Sequence, residues 1–240
     1  MTLGVLGGTF DPIHNGHITA GLRAQAALHL DRVMLIPSRV PPHRATTVGA
    51  SPEARLAMAE LAAAEQQGWT ASDIELTRDG PSYTFDTLTA LAKTHLGEAA
   101  MSELRGGAMS DAGKRGEWQF FFIIGADAFA EIATWSRYPA VLDLAHFAVV
   151  ARPGITLHSL QARVPDLADR MTTPDEFKPE AARSLPDEKT RVILIETATP
   201  DVSSTEIRRR VRAGESIGDL VPESVAAYVS THRLYVGAAH

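Results

Sequence analysis

Residues 3–17 read LGVLGGTFDPIHNGH, and this stretch decides the fold. It opens with a short apolar run at residues 3–7 that has the composition of a buried strand. An amphipathic segment then runs from Gly16 to about Leu30, which predicts a helix. Between the two lies a loop with paired glycines, an Asp-Pro step and two histidines. A buried strand that continues through such a loop into a helix is typical of the first unit of a parallel α/β sheet.

The rest of the chain repeats this alternation of apolar runs and amphipathic segments. Ser51 and Pro52 supply an N-cap and a first helical residue for one helix, and Thr84 to about His95 predicts another. Further strands are predicted at residues 32–37, 72–76, 118–125, 146–151 and 191–196. The run WQFFFIIG at 118–125 is too apolar for an edge strand and predicts a central one. Together these patterns predict an α/β, Rossmann-like, doubly wound and mainly parallel sheet, with helices on both faces and a small helical portion at the C-terminus.

Two polar segments interrupt the alternation. Residues 97–117 contain glycine and have no sustained apolar period, which predicts a loop or a disordered insertion. Residues 165–189 are rich in charge and proline and predict a second insertion. A chain of 240 residues with 45% hydrophobic content is long enough to bury one substantial core. We therefore expect residues 1–240 to form a single domain that carries both insertions.

The composition excludes several classes of protein. The chain has no cysteine, so disulfides, thiolate zinc sites and cysteine nucleophiles are ruled out. No secretory leader and no apolar run long enough to cross a bilayer is present, so we expect a cytoplasmic protein with no membrane partner. The net charge of −6 argues against a nucleic-acid partner but is compatible with a local basic pocket for a small phosphate ligand. A homo-oligomer is compatible with this sequence.

The loop GGTFDPIHNGH, residues 7–17, has the features of an oxyanion site. It joins a strand to a helix, where helix N–H groups and the positive dipole end face a ligand. Gly7 and Gly8 permit close approach of the backbone. His14 and His17 are three residues apart, so both can face one bound group. Neither G-x-x-x-x-G-K-[ST] nor G-x-G-x-x-G occurs here, which argues against P-loop kinases and the usual dinucleotide-binding dehydrogenases. Zinc ligation by the two histidines and plain helix capping are the alternatives.

A second anion site is predicted by VSSTEIRRRV, residues 202–211. Ser203 or Ser204 can cap a helix whose first turn carries free N–H groups. Arg208 lies one turn further along and can point back toward a phosphate. The alternative interpretation is a capped helix whose arginines only face water.

The loop at residues 7–17 resembles the signature of the nucleotidyltransferase superfamily with an H-x-G-H motif. In its full form it is similar to the signature of the bacterial nicotinate-nucleotide adenylyltransferase family. Other matching segments follow in the family's order: PPHR (41–44), GPSYTFDTL (80–88), FFIIGADAF (121–129), ATW (133–135), ARPG (151–154), VSSTEIRRRV (202–211) and LVPESVAAYVSTHRLY (220–235). A single H-x-G-H motif is weak evidence. An ordered set that spans almost the whole chain is specific.

The resemblance implies that AMP is transferred from ATP to the phosphate of nicotinate mononucleotide, which gives nicotinate adenine dinucleotide and pyrophosphate for NAD biosynthesis. The attacking group is already an anion, so it needs no general base. The reaction is therefore expected to proceed by direct in-line attack without a covalent intermediate. By resemblance, the catalytic residues are His14, His17 and Arg208. The resemblance also implies Mg²⁺ as a cofactor that is carried by the ATP phosphates, with no metal site of the protein's own.

The resemblance assigns the remaining site residues to the two substrates, ATP and nicotinate mononucleotide. The residues implied for ATP are Gly7, Gly8, Thr9, Phe10, His43, Arg44, Gly125, Ser203, Ser204 and Thr205. Those implied for nicotinate mononucleotide are Thr84, Asp127, Trp135 and Ser136. In this scheme Trp135 stacks on the ring, and Thr84 with the Ser136 N–H recognises the ring carboxylate. Without the resemblance, Trp135 is more typical of core or surface packing than of ring stacking, and Thr84 is equally typical of a helix N-cap.

Alternative functions from this sequence are transfer of AMP to nicotinamide mononucleotide or to phosphopantetheine, and a non-catalytic nucleotide-sensing module. The segment GPSYTFDT argues against phosphopantetheine, and the presence of every charged position expected for catalysis argues against the sensing module. Residues 134–138 read TWSRY, with Ser136 where the family more usually has an aromatic residue. Selectivity between the acid and the amide mononucleotide is therefore the least constrained expectation.

Overall fold

A computed structural model describes residues 1–41, 48–104, 118–151, 154–177 and 190–236, without the side chains of residues 95–104. Within these ranges seven strands form one sheet, and every neighbouring pair is parallel. The strands are β1 (Thr2–Gly8), β2 (Arg32–Pro37), β3 (Trp69–Ala71), β4 (Gln119–Gly125), β5 (His146–Ala151), β6 (Met171–Thr172) and β7 (Val192–Glu196).

The strand order is β3-β2-β1-β4-β5-β7-β6, so the winding direction reverses between β1 and β4. In the register of these strands, Val5 lies between Met34 of β2 and Phe122 of β4. A reversal of this kind leaves a crevice beyond the carboxyl ends of the two strands, where open α/β sheets bind their ligands. The predicted doubly wound parallel sheet is confirmed, and so is the central position of β4.

The helices are α1 (Asn15–Leu28), α2 (Pro52–Ala64), α3 (Thr84–Leu104), α4 (Ala126–Phe129), α5 (Leu157–Arg163), α6 (Ser204–Arg212) and α7 (Glu223–Thr231). Ser51 is the N-cap of α2, as predicted, and its side chain accepts a hydrogen bond from the Ala54 amide at 3.2 Å. The predicted helical portion near the C-terminus corresponds to α7.

Helices cover both faces of the sheet and form an apolar core on each face. Successive side chains of β1 point alternately into these two cores. Leu6 belongs to one core and Val5 to the other. On the first face, α1, α2, α6 and α7 contribute the buried residues Ile18, Met58, Ile207 and Val225. On the second face, α3, α4 and α5 contribute Leu88, Leu91, Phe129 and Leu160. Burial on both faces accounts for the nearly continuous apolar sequences of the central strands.

Two local predictions differ from the structure. The strand predicted at residues 72–76 is wrong, because β3 ends at Ala71 and the following residues form turns. The loop predicted from residue 97 is wrong for residues 97–104, which continue α3. These residues include alanine, glutamate, methionine and leucine, which favour helix even without an amphipathic pattern. The predicted insertion at 165–189 begins with a 3₁₀ helix and the two-residue edge strand β6. Residues 105–117 and 178–189 lie outside the described residues.

Candidate active site

A cavity of about 590 Å³ opens at the carboxyl ends of β1, β2 and β4. The loop after β1 contributes Gly8, His14 and His17 to its wall. On another side the wall includes Thr84 at the start of α3 and Trp135 from the loop after α4. One cavity therefore joins the predicted phosphate-binding loop to residues predicted to bind the pyridine ring.

The backbone of the loop between β1 and α1 is held in an uncommon conformation. Phe10 has a φ of 50°, in the left-handed region that few non-glycine residues occupy. The Phe10 side chain is buried, and its ring meets the His17 ring edge-on with 5.1 Å between centroids. The loop reaches α1 through a cis Asp11–Pro12 peptide. The positive φ of Phe10 persists because the surrounding packing enforces it, and such backbone conformations are common at ligand sites.

The two histidines form a stacked pair at the start of α1. His14 is the N-cap residue, and its ring centroid lies 3.7 Å from that of His17 with 28° between the ring planes. The backbone N–H of His14 donates to Nδ1 of His17 at 3.3 Å. A neutral imidazole that accepts at Nδ1 carries its proton on Nε2. The structure therefore makes Nε2 of His17 a hydrogen-bond donor, which is the form that an anionic ligand requires.

Burial of His14 has a consequence for pH dependence. Its side chain is largely buried in the wall of the cavity, and this desolvation lowers the pKa of His14 from 6.5 to about 4, against a smaller opposing effect of a backbone hydrogen bond. In the unfolded chain His14 titrates near its ordinary value. Between the two pKa values the unfolded chain binds more protons than the folded protein. Stability therefore falls as the pH is lowered through this window.

We predict that the free energy of unfolding of the wild type falls when the pH is lowered from about 7 to about 4.5. This fall should be roughly 2 to 3 kcal/mol larger than in a His14→Asn variant. Urea unfolding at the two pH values measures this difference. His158→Asn serves as the control, because His158 is exposed, and its pH dependence should follow the wild type. Equal pH dependence in wild type and His14→Asn would contradict the assignment of His14 as a buried neutral base.

The first N–H groups of α1 are only partly available to a ligand. The amide of Asn15 donates to the carbonyl oxygen of Leu220 at 2.9 Å, and the amide of His17 donates to the carbonyl oxygen of His14 at 2.8 Å. The side chain of Asn15 also reaches the carbonyl oxygen of Asp219 at 3.2 Å. The predicted helix-end anion site therefore depends on the histidine side chains more than on a full set of free amides.

Arg55 is a site residue that the sequence analysis missed. Its side chain is 1% exposed, and Nη1 donates to the carbonyl oxygens of Thr9 at 2.8 Å and Ser38 at 2.6 Å. Desolvation lowers the pKa of Arg55, while nearby Asp11 acts in the opposite direction. Arg55 thus joins the loop after β1 to the turn after β2, beneath the cavity. Its position inside the apolar repeat of α2 gave no signal of this role.

The helix α6 packs against the same loop. Ser203 is its N-cap and accepts a hydrogen bond from the Glu206 amide at 3.2 Å, whereas the Ser204 hydroxyl donates to the carbonyl oxygen of Pro12 at 3.0 Å. Nη1 of Arg208 donates to the carbonyl oxygen of Asp11 at 2.7 Å. Ser204 lines the cavity, while Ser203, Thr205 and Arg208 are not part of its lining. The predicted solvated basic face of α6 is ion-paired, because Arg209 and Arg210 both bind Glu206.

The residues predicted for the pyridine nucleotide lie along the cavity. Thr84, Asp127, Trp135 and Ser136 line it, and so does Gly125, which was predicted for ATP. The Trp135 ring is half-buried and meets the Phe122 ring edge-on with centroids 6.0 Å apart. Asp127 lies in the first turn of α4 with an exposed carboxylate that pairs with Arg163 at 3.4 Å. Thr84 is the first residue of α3 and not its N-cap.

Polar residues that the sequence analysis missed also line this cavity, among them Ser38, Glu75, Ser82 and Thr87. Glu75 is buried and accepts a hydrogen bond from the Thr87 hydroxyl at 2.5 Å. Burial raises the pKa of Glu75, while hydrogen bonds from Thr87 and Ser82 oppose the rise. Glu75 was missed because residues 72–76 were predicted as a strand, and that prediction gave no reason to expect a buried carboxyl group.

Two predicted ATP-binding residues, His43 and Arg44, lie outside the described residues. Within the described ranges, no group of three or more histidine, aspartate or glutamate side chains converges as a metal site. No helix in the same ranges is both long enough and apolar enough to cross a membrane.

Comparisons with known proteins identify the family of this chain. A family model described as cytidylyltransferase-like matches residues 5–210. The chain is 38% identical to a probable nicotinate-nucleotide adenylyltransferase of Desulfatibacillum aliphaticivorans, over 98% of this chain and 100% of that protein. It is 33% identical to the probable nicotinate-nucleotide adenylyltransferase of Shewanella frigidimarina, over 98% of this chain and 100% of that protein.

A solved structure with a similar fold is the Plasmodium falciparum nicotinic acid mononucleotide adenylyltransferase complexed with NaAD. Its TM-score is 0.63 at 15% identity, with 98% of this chain and 97% of that chain covered. At this identity the likeness shows the fold alone. The family itself is shown by the sequence relatives, which match from end to end at more than 30% identity. The chain therefore belongs to the nicotinate-nucleotide adenylyltransferase family, within the cytidylyltransferase-like proteins.

Proposed function

We propose that this protein transfers the AMP moiety of ATP to the phosphate of nicotinate mononucleotide, with release of pyrophosphate. The observation that carries the proposal is a single cavity that has the stacked pair His14 and His17 on one side and Trp135 on the other. A site that joins a triphosphate to a pyridine nucleotide needs donors for anions at one end and a flat apolar face at the other. The names of the sequence relatives agree with this function.

The chemistry requires alignment of two anions. An oxygen of the mononucleotide phosphate forms a bond to the α-phosphorus of ATP, and the bond between that phosphorus and the oxygen bridging to the β-phosphorus breaks. His17 is proposed to donate from Nε2 to the α-phosphate as negative charge develops on it. His14 is neutral at pH 7 because its pKa is about 4. It therefore contributes polarity and packing to the site without adding a charge. Neither histidine serves as a nucleophile.

At the triphosphate end, Gly7, Gly8, Thr9 and Phe10 are proposed to place loop backbone against ATP. The start of α6 contributes Ser203, Ser204 and Thr205. Arg208 is proposed to bind the triphosphate from its place beside Asp11. His43 and Arg44 stay predictions from the sequence.

At the pyridine end, Trp135 is proposed to stack on the nicotinate ring. Thr84, with the backbone N–H of Ser136, is proposed to bind the ring carboxylate. Asp127 follows the carboxyl end of β4, where an exposed carboxylate can accept hydrogen bonds from ribose hydroxyls. All four residues line the cavity that the histidines share.

Mg²⁺ is proposed to enter with ATP, because phosphate oxygens are the hard ligands that this ion prefers. When bound, it would neutralise charge on the triphosphate and on the leaving pyrophosphate. The cytoplasmic location and the absence of a nucleic-acid partner stay predictions from the sequence, with which a homo-oligomer is compatible.

The test of the proposed function is pyrophosphate release with ATP, Mg²⁺ and each acceptor in turn. We expect the highest kcat/KM with nicotinate mononucleotide, a lower value with nicotinamide mononucleotide, and no turnover with phosphopantetheine. Equal or greater turnover with phosphopantetheine would overturn the assignment. Nucleotide binding without turnover of any acceptor would indicate the sensing module instead.

The same assay tests the pyridine end of the cavity. Trp135→Ala should raise the KM for nicotinate mononucleotide about 5- to 100-fold, the range expected for loss of a stacked aromatic partner. The KM for ATP should change little. Trp118→Ala is the matched control, because Trp118 precedes β4 at the opposite end of that strand and packs against Arg32.

A further inference from the structure

Asp11 lies in the loop between β1 and α1 with only 3% of its surface exposed. Its carboxylate accepts hydrogen bonds from the amides of Gly49 at 2.7 Å and Ala50 at 2.9 Å. The Tyr235 hydroxyl donates to Asp11 Oδ1 at 2.9 Å, and Nη1 of Arg208 lies 3.4 Å from Oδ2. A buried carboxylate with four partners fixes the position of each of them relative to the loop.

Tyr235 reaches Asp11 from 224 positions away in the chain. It is 9% exposed and has a φ of 63°, in the left-handed region that a tyrosine rarely adopts. Burial raises the pKa of Tyr235 above its ordinary range, and Asp11 raises it further. The hydroxyl therefore keeps its proton and remains a donor. Tertiary contacts hold this residue in place, since its backbone conformation is not locally favoured.

The side chains of Tyr235 and Arg208 both lie close to Gly49. A Cβ atom on Gly49 would lie 3.0 Å from the Tyr235 ring and 3.2 Å from the δ-carbon of Arg208. Arg208 is anchored to the same loop by its 2.7 Å hydrogen bond to the Asp11 carbonyl oxygen, and its side chain is 16% exposed. The position of the Arg208 guanidinium therefore depends on Asp11, and the position of the Asp11 carboxylate depends in part on Tyr235.

We propose that Tyr235 is a positioning residue for the triphosphate end of the active site, acting through Asp11 on Arg208 and on the loop that carries His14 and His17. This inference rests on the proposed function. It predicts a larger effect on the KM for ATP than on the KM for nicotinate mononucleotide. The pyridine end is built by α3 and by the segment after β4, which carries Trp135. Among the residues that the structure describes, neither of these provides a hydrogen-bond or ion-pair partner of the Asp11 carboxylate.

The test is Tyr235→Phe, which removes one hydroxyl and keeps the ring. We expect the KM for ATP to rise about tenfold, the order expected for loss of one hydrogen bond to a charged group, while the KM for nicotinate mononucleotide stays within about twofold. Tyr228→Phe is the matched control: it removes the same atom from α7, where the Tyr228 ring packs on His232. Both KM values of this control should equal those of the wild type.

A second variant tests the same proposal if Tyr235→Phe fails to fold. Asp11→Asn keeps the size of the side chain and should show the same selective rise in the KM for ATP. The double variant Tyr235→Phe with Arg208→Lys should raise the KM for ATP by less than the product of the two single effects, because both changes act through Asp11. Independent effects, or an equal rise in both KM values, would overturn the proposal.

Calorimetric titration with ATP separates this inference from the proposed function. If the wild type forms no dinucleotide but Tyr235→Phe still weakens ATP binding about tenfold, the proposed function fails and the positioning role stands. If the wild type is active and Tyr235→Phe binds and turns over ATP normally, the positioning role fails and the function stands.

Discussion

Replacement of His17 by alanine is expected to lower kcat by about 100- to 1,000-fold while ATP binding stays measurable, the range found when one preorganised donor to a developing anion is removed. The structure supplies the reason. The backbone N–H of His14 donates a hydrogen bond to Nδ1 of His17, and the ring proton is therefore on Nε2. In the proposed mechanism this donor binds charge that increases in the transition state, so its loss is expected to affect kcat more than ground-state binding.

Steady-state pyrophosphate release measures kcat, and calorimetric titration measures the ATP affinity of the same preparation. His17→Gln places an amide donor near the position of Nε2 and should keep part of the activity. His158→Ala removes an exposed imidazole from α5 and should leave kcat unchanged. Undiminished turnover in His17→Ala would remove His17 from the mechanism, even if the rest of the assignment held.

Arg55→Ala is expected to lower the free energy of unfolding by about 3 to 5 kcal/mol, because it removes hydrogen bonds from a buried charged group to backbone carbonyl oxygens and deletes a large buried side chain. The substitution leaves the carbonyl oxygens of Thr9 and Ser38 without their charged donor, and it leaves a cavity beneath the loop. We also expect kcat/KM to fall, because the same bonds hold the loop that carries the histidines. Urea unfolding followed by circular dichroism gives the free energy.

Arg55→Lys is the informative companion variant. It keeps the charge but cannot donate from a planar fork to several carbonyl oxygens, so it should recover only part of the lost stability. Arg23→Ala changes an exposed arginine on α1 and should cost no more than about 0.5 kcal/mol. A loss of less than about 1 kcal/mol in Arg55→Ala would show that the buried guanidinium is not what holds the loop.

The central strands were predicted closely because each of them is buried on both faces. The residues of β2 and β5 match the predicted ranges, since an uninterrupted apolar run bounded by polar residues is itself the signal of a doubly covered strand. The N-cap Ser51 was equally clear, because its bond to the Ala54 amide is local.

Edges of the fold were predicted less well. β3 has three residues and β6 has two, so neither is long enough to produce a periodic pattern. The extension of α3 to Leu104 arises from helix propensity in residues with no amphipathic pattern, and the prediction gave that propensity too little weight. Glu75 was missed for a related reason, because its burial follows from a turn that places it against Thr87.

The sequence by itself determined the strand–loop–helix unit at residues 3–17, its two histidines and the N-caps of α2 and α6. These features depend on residues within about four positions of one another, and local patterns record such contacts. Only the tertiary structure decided that the Asp11 carboxylate contacts Arg208 and Tyr235. It also decided that the Asn15 amide donates to the carbonyl oxygen of Leu220. Those partners are about 200 positions apart in the chain. They meet because the loops and helix ends at one edge of a parallel sheet lie close together in space even when they are distant in sequence.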